Sequence, residues 1–111
     1  MSWTREFPGA VTVCDRQGVI LEMNDKSATT FEADGGRGLV GKNLLACHPE
    51  PSRTKMAELL ARPRVNAYTI EKHGVRKLIY QAPWFRDGVA QGLVELSLEI
   101  PADMPHFVRE G

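Results

Sequence analysis

The sequence predicts an α+β domain, a five-stranded antiparallel sheet with short helices packed on one face. Three observations predict it. Five runs are strand-like, either rich in β-branched and aromatic residues or strictly alternating, and turn signals bound them. Helical spacing is confined to the middle of the chain, between the second run and the third. Two strands, a helical insert and three strands is an order that gathers helices on one face of an antiparallel sheet.

Residues 1–8 form a lead-in. Trp3 and Phe7 are apolar and four apart, the spacing of a helical turn, and Pro8-Gly9 breaks it. Residues 10–14 and 19–23 are two apolar runs flanking Asp15-Arg16-Gln17-Gly18. Asp first and Gly last is the type I turn preference, so the pair reads as a β-hairpin. Cys14 falls inside the first run and is expected to pack as a small core residue. Asn24 suits a helix N-cap, and Asp25 behind it suits the positive end of a helix. Ala28 and Phe31, three apart, begin a helical stripe.

Residues 32–38 carry Gly35, Gly36 and Gly38 and read as a flexible loop, not a helix. The loop lacks the Lys-Ser/Thr ending of a P-loop, which argues against phosphate binding. Residues 39–45 place a hydrophobic pair, Gly, a polar pair and a second hydrophobic pair before a short helix. Residues 46–52, Ala-Cys-His-Pro-Glu-Pro-Ser, are stiffened by their two prolines. Pro51 suits the first turn of the next helix. That helix runs to about Ala61, with Met56, Leu59 and Leu60 on one face, and Pro63 stops it.

Residues 66–72 and 75–82 read as strands about a tight His73-Gly74 turn. Pro83 is expected to end the regular ladder or to sit at an edge, with Trp84-Phe85 continuing the run. Arg86-Asp87-Gly88 makes the next turn. Residues 90–100 alternate most clearly, Val94, Leu96, Leu98 and Ile100 against Glu95, Ser97 and Glu99, as in a half-buried strand. Pro101 terminates it, so residues 9–101 read as a single domain and residues 102–111 as a tail.

Strand, Asp-x-x-Gly turn, strand, Asn and short helix over residues 10–31 resemble the opening of a PAS domain, a small sensory α+β module. Asn24 stands where that family commonly closes its second strand with an Asn. The segment 39–45 is similar to the one that enters a short helix over the family's pocket. The order of strands and helices matches as well, over nearly the whole chain.

Composition excludes several function classes. A chain of 111 residues suits one domain and one core. Lys plus Arg and Asp plus Glu are 14 each, so the formal net charge is zero. A dedicated nucleic-acid binder shows a basic excess, and none exists here. No apolar run approaches the roughly 18 residues needed to span a bilayer. The first residues lack the apolar core of a signal peptide, so a cytoplasmic location is expected. Near-zero net charge permits self-association.

The candidate chemistry is sparse. His48, His73 and His106 show no i, i+4 pair and no Cys-x-x-Cys is present, so no metal site is assigned. Cys47 beside His48 suggests a nucleophile and base, but sequence neighbours project differently and catalytic partners usually meet in space. Packing for Cys47 and a turn-fixing hydrogen bond for His48 account for the pair structurally, and a redox-sensing Cys47 is a third reading. Met23, Phe31, Leu45, Met56, Leu60, Tyr68 and Leu96 are expected to converge between sheet and helices, as plain core or as a pocket. Asn24, His48, Tyr68, Tyr80 and Gln81 are the polar groups that could fix a ligand there, although a helix cap alone accounts for Asn24. Trp84 is placed at a pocket wall, in the core or at a subunit interface.

The resemblance implies a PAS-like sensor that binds a small molecule or a protein partner and answers by a population shift. It implies a homodimer through the outer sheet face and flanking segments. With no effector within these residues, it also implies output through a separate effector protein. No cofactor is assigned. Some PAS domains bind haem through a helix histidine, but His48 precedes a proline and its backbone is biased to an extended shape. The reactive-Cys helix motif of flavin photosensors is absent. Two rivals stay open, a small enzyme on a similar α+β cone using His48 or Cys47, and a purely structural dimerisation domain with a filled core.

Overall fold

Turn chemistry sets the hairpins of this protein. The computed structural model describes residues 3–111, the side chain of Cys47 excepted. Strand β1 (Ala10–Asp15) meets β2 (Ile20–Met23) across the Asp15–Gly18 turn. Asp15 Oδ1 accepts from the backbone N–H of Gln17 and of Val19, both at 2.9 Å, and Gly18 N–H donates to the Asp15 carbonyl at 3.0 Å. Strand β3 (Asn66–Lys72) turns into β4 (Val75–Arg86) through His73 and Gly74, at φ 53° and 77°. Asp87 and Gly88, at φ 52° and 77°, turn β4 into β5 (Val89–Ile100). Two left-handed residues in a two-residue loop match the natural twist of a hairpin.

The strands assemble in the order β2-β1-β5-β4-β3, every neighbouring pair antiparallel. Between β2 and β3 lie α1 (Asp25–Thr30), α2 (Leu44–Cys47) and α3 (Ser52–Ala61). Their apolar side chains close on one sheet face. Cys14, Ile20, Met23 and Leu93 from the sheet pack with Leu39, Leu44, Met56 and Leu59 from the helical layer. Leu59 has no exposed surface at all. Phe31, Leu45 and Leu60 flank this core, half-buried.

Two bulges decide which side chains face the helices. In β2, Glu22 opposes Val13 but Ile20 opposes Cys14, so Leu21 is an extra residue. That insertion lets Ile20 and Met23, three apart, point to the same face. In the β4–β5 pair, Phe85 opposes Ala90 but Trp84 opposes Gly92, so Gln91 is extra. Beyond it Glu95 stands opposite Gln81, and Leu96 stands opposite Tyr80 and Val11.

Leu96 therefore does not converge with the helices. Val94, Leu96, Leu98 and Ile100 lie on the outer face, with Val13, Leu78, Tyr80 and Ala82. The bulge shifts the register by one residue, and a one-residue shift turns every side chain over. Residues 32–38 are also not a loop without structure. They form two short 3-10 turns, Glu32–Asp34 and Gly36–Leu39, pinned by Arg37, which donates to the Met23 carbonyl and pairs with Asp25 at 2.7 Å. Gly35 and Gly36, at φ 119° and 55°, supply the left-handed step between the two turns. Pro83 does not end the ladder but sits at an edge, the second of its two expected places. Strand β3 stops at Asn66, opposite Gln81, so β4 continues past Pro83 paired only with β5. A residue without an N–H is tolerated on that free side.

The lead-in makes a turn, not a helix, over residues 3–6, and Trp3 meets Phe7 edge-on at 5.6 Å. Beyond Ile100 the chain has no regular structure, and Ala102 accepts a hydrogen bond from Arg76.

Candidate functional site

One transverse row of the inner sheet face is polar. Thr12 of β1, Glu95 of β5, Gln81 of β4 and Asn66 of β3 stand opposite one another across four adjacent strands. Thr12 shares a 2.6 Å hydrogen bond with Ser27 of α1, which is fully buried. Gln81 Nε2 donates to Glu95 Oε2 at 2.7 Å, and Asn66 Nδ2 donates to Gln81 Oε1 at 2.8 Å. Nε2 also lies 3.5 Å from the Met56 sulfur. An ionised carboxylate can only accept, so Glu95 fixes the direction of the relay. The Gln81 amide must turn its NH₂ group to Glu95, and its oxygen then faces Asn66.

A pocket of about 400 Å³ opens between this row and the start of α3. Gln81, Glu95, Asn66 and Tyr68 line it from the sheet, and His48, Pro51, Ser52, Lys55 and Met56 from the helical side. A much smaller cavity, about 30 Å³, lies deeper beside Thr12, Cys14, Leu93 and Met56. Burial explains why the relay is complete: Gln81 is 4% exposed, and an unpaired amide at that depth costs about 1–3 kcal/mol. Burial, and then the Glu95 carboxylate, hold the Tyr68 phenol above its ordinary pKa, so it stays a neutral hydroxyl. His48 sits at the C-cap of α2 with extended backbone, φ −106° and ψ 131°, as a residue before proline should. Its Nδ1 lies 2.7 Å from the Leu44 carbonyl, which can only accept. The ring proton is therefore on Nδ1, and Nε2 is the open acceptor of the neutral ring.

The structure thus brings His48, Met56, Tyr68 and Gln81 together and leaves the other four candidates elsewhere. Tyr80 lies on the outer face, because adjacent strand residues point to opposite sides and Gln81 points in. Met23 is core, and Phe31 packs half-buried against it. Asn24 is the N-cap of α1 and the anchor of the lead-in. Its Oδ1 accepts from Val11 N–H and Ser27 N–H at 2.9 Å, and its Nδ2 donates to the Thr4 and Gly9 carbonyls at 2.8 Å. Those four bonds use the whole amide. Trp84 is half-buried on the sheet and donates from Nε1 to the Cys14 carbonyl at 2.9 Å.

Sequence reasoning missed Glu95, Asn66, Ser52 and Lys55. Cys47 is the last residue of α2, and its proposed redox or nucleophilic side chain lies outside the described atoms. Cys14 is a buried free thiol, as its place in β1 led one to expect. Among the described residues no cluster of His, Cys, Asp and Glu could hold a metal ion, and no helix is long and apolar enough to cross a membrane.

No family model matches the sequence, and no curated protein does. Solved structures do match in shape. A C-terminal domain from Streptococcus mutans superposes with a TM-score of 0.69 at 20% identity, over 86% of this chain and 78% of that one. The Aer2 receptor of Vibrio cholerae, described as a dual PAS-heme oxygen sensor, gives 0.60 at 16% identity, over 84% of this chain and 95% of that one. The PAS domain of Bordetella pertussis BvgS gives 0.59 at 24% identity, over 88% and 81%. The shape is shared, and this chain, with its five-stranded antiparallel sheet and short helices, has the fold of a PAS domain.

Proposed function

We propose that this protein is a sensory module that binds a small molecule in the pocket under α3 and passes the change to a partner through the sheet. The observation that carries the reading is the pocket itself, about 400 Å³ against a wall of directed hydrogen bonds. The site does not favour an enzyme, since His48 Nδ1 is engaged by a backbone carbonyl and, among the described residues, no second general acid or base is hydrogen-bonded to it.

The route out of the pocket follows from the strands. Glu95 and Gln81 face the pocket, while their neighbours Val94, Leu96, Tyr80 and Ala82 face the other side. A ligand that shifts the relay shifts β4 and β5, and with them the outer face. The middle of that face is apolar, no helix among the described residues covers it, and the net charge is zero. A second copy of this chain is the occupant it suits, with a separate effector protein reading the dimer. Aer2, an oxygen sensor of the same fold, is a precedent for sensing by such a domain.

Native mass spectrometry on gently purified protein tests this reading, since it reports stoichiometry and retained ligand together. A dimer carrying a reproducible extra mass is expected. Bare polypeptide mass, with no thermal stabilisation by a small-molecule extract of the producing cells, would sink it.

A further inference from the structure

The pocket holds a carboxylate whose hydrogen-bonding capacity is half used. Glu95 is half-buried, yet among the described residues it forms no salt bridge, and only Oε2 has a protein donor. Its Oε1 is open. Because Glu95 directs the Gln81 amide and Gln81 directs Asn66, Asn66 is left with Oδ1 unengaged. In the neutral His48 ring the proton is on Nδ1 and Nε2 is an acceptor. Three pocket residues thus offer acceptors from fixed positions. The opposing charge is Lys55, an exposed residue of α3 whose ammonium stays solvated at the end of a flexible stem. A half-buried carboxylate without a cation attracts one, and a ligand that supplies the cation gains that attraction in a site partly shielded from water.

We propose that the pocket takes a small organic cation rich in N–H donors, an amine, amidine or guanidine, with its charged end on Glu95 and Asn66. This deepens the sensory reading and rests on it. A planar amidine or guanidine suits the site best, because its parallel N–H groups can bridge the Glu95 carboxylate and the Asn66 oxygen. An anion could use Lys55, the Ser52 and Tyr68 hydroxyls and the second N–H of Asn66, but it would have to sit against the Glu95 carboxylate, whose charge only a cation answers.

The test uses the full chain and three probes of one size, benzamidine, benzoate and benzyl alcohol. Each is titrated against isotope-labelled protein by NMR, following the amides of Asn66, Gln81 and Glu95. Benzamidine is expected to shift them saturably and the other two are not. Glu95→Gln keeps the shape of the side chain and is expected to weaken benzamidine by about tenfold or more. A Met56→Trp variant, which fills the pocket and leaves Glu95 in place, is expected to abolish binding. Benzoate or benzyl alcohol binding as well as benzamidine would overturn the choice of a cation and leave the sensory pocket standing. Benzamidine affinity unchanged in Glu95→Gln would overturn the assignment to Glu95. If no probe moves these amides, the proposal fails, and bare polypeptide in the native mass spectrum would then take the sensory reading with it.

Discussion

Asn24→Ala is the sharpest test of how the lead-in is held. The side chain is 6% exposed and makes four hydrogen bonds of 2.8–2.9 Å, one of which is the cap of α1. Three of the four partners, Val11 N–H, Gly9 carbonyl and Ser27 N–H, are buried backbone groups. At roughly 1 kcal/mol for each of these, the Ser27 bond being the N-cap itself, the variant should lose about 3 kcal/mol. That is a large part of the roughly 5–15 kcal/mol of a small domain, but it leaves a folded protein. With a urea slope of about 1–3 kcal/mol per molar, the unfolding midpoint should fall by roughly 1–3 M. Asn24→Asp separates the two jobs of the amide. It keeps an acceptor for Val11 and Ser27 but sets a carboxylate oxygen against the Thr4 and Gly9 carbonyls. In hydrogen exchange the Ser27 amide should stay protected in Asn24→Asp. The Asp25 amide, which donates to the Arg5 carbonyl, should exchange faster as the lead-in lets go. A midpoint shift below about 0.3 M in Asn24→Ala would refute the reasoning. So would equal protection of both amides in the two variants.

Three other outcomes follow from the same structure. Gly92→Ala should cost about 3 kcal/mol or more in urea unfolding, because its φ is 155° and a Cβ would strike the Cys14 carbonyl and the Asp15 backbone. Burial, above all, raises the Cys14 thiol over its ordinary 9.0, partly opposed by a backbone hydrogen bond from Leu93. The folded pKa then exceeds the unfolded one, so this contribution is fully present below pH 9 and is lost as pH rises toward the folded value. Cys14→Ala should flatten the alkaline limb of a stability–pH curve measured by urea midpoints, and an unchanged limb would count against it. Leu96→Glu, on the uncovered face, should convert a dimer to a monomer in light scattering while leaving benzamidine binding intact. A dimer that survives would place the interface elsewhere.

Much of the fold was legible because turns carry strong local chemistry. Asp15 with Gly18, His73 with Gly74, and Asp87 with Gly88 mark three hairpin connections, and each forms. Asn24 reads as a cap and is one. Met56 and Leu59 read as a helical face and are buried. Other features depend on distant partners and leave no local mark. The glycines of residues 32–38 look like freedom, but Arg37 reaches Met23 and Asp25 and fixes the segment in 3-10 turns. Pro83 looks like a stop until one knows that β3 has already ended opposite Gln81.

The site was half legible, and one residue explains the division. The two-residue His73-Gly74 turn pairs Lys72 with Val75, and counting back without a break puts Asn66 opposite Gln81, as observed. The same count from the Asp87-Gly88 turn starts with Arg86 opposite Val89 and puts Gln81 opposite Val94. On that register Leu96 shares the inner face with Gln81, and Glu95 points away. The bulge at Gln91 moves the pairing by one, so Gln81 meets Glu95 and the apolar set of β5 turns outward. Within Ala90-Gln91-Gly92 the one local hint is Gly92, since a glycine inside a strand suggests either a bulge or a close backbone approach without saying which. The need for it is tertiary: Trp84 must reach the Cys14 carbonyl, and Gly92, with no Cβ, lets β1 and β5 approach there. Strand alternation reports which residues share a face, but not which face is inside. In this chain the bulge at Gln91 settles that question, placing a carboxylate in the pocket and an apolar surface outside.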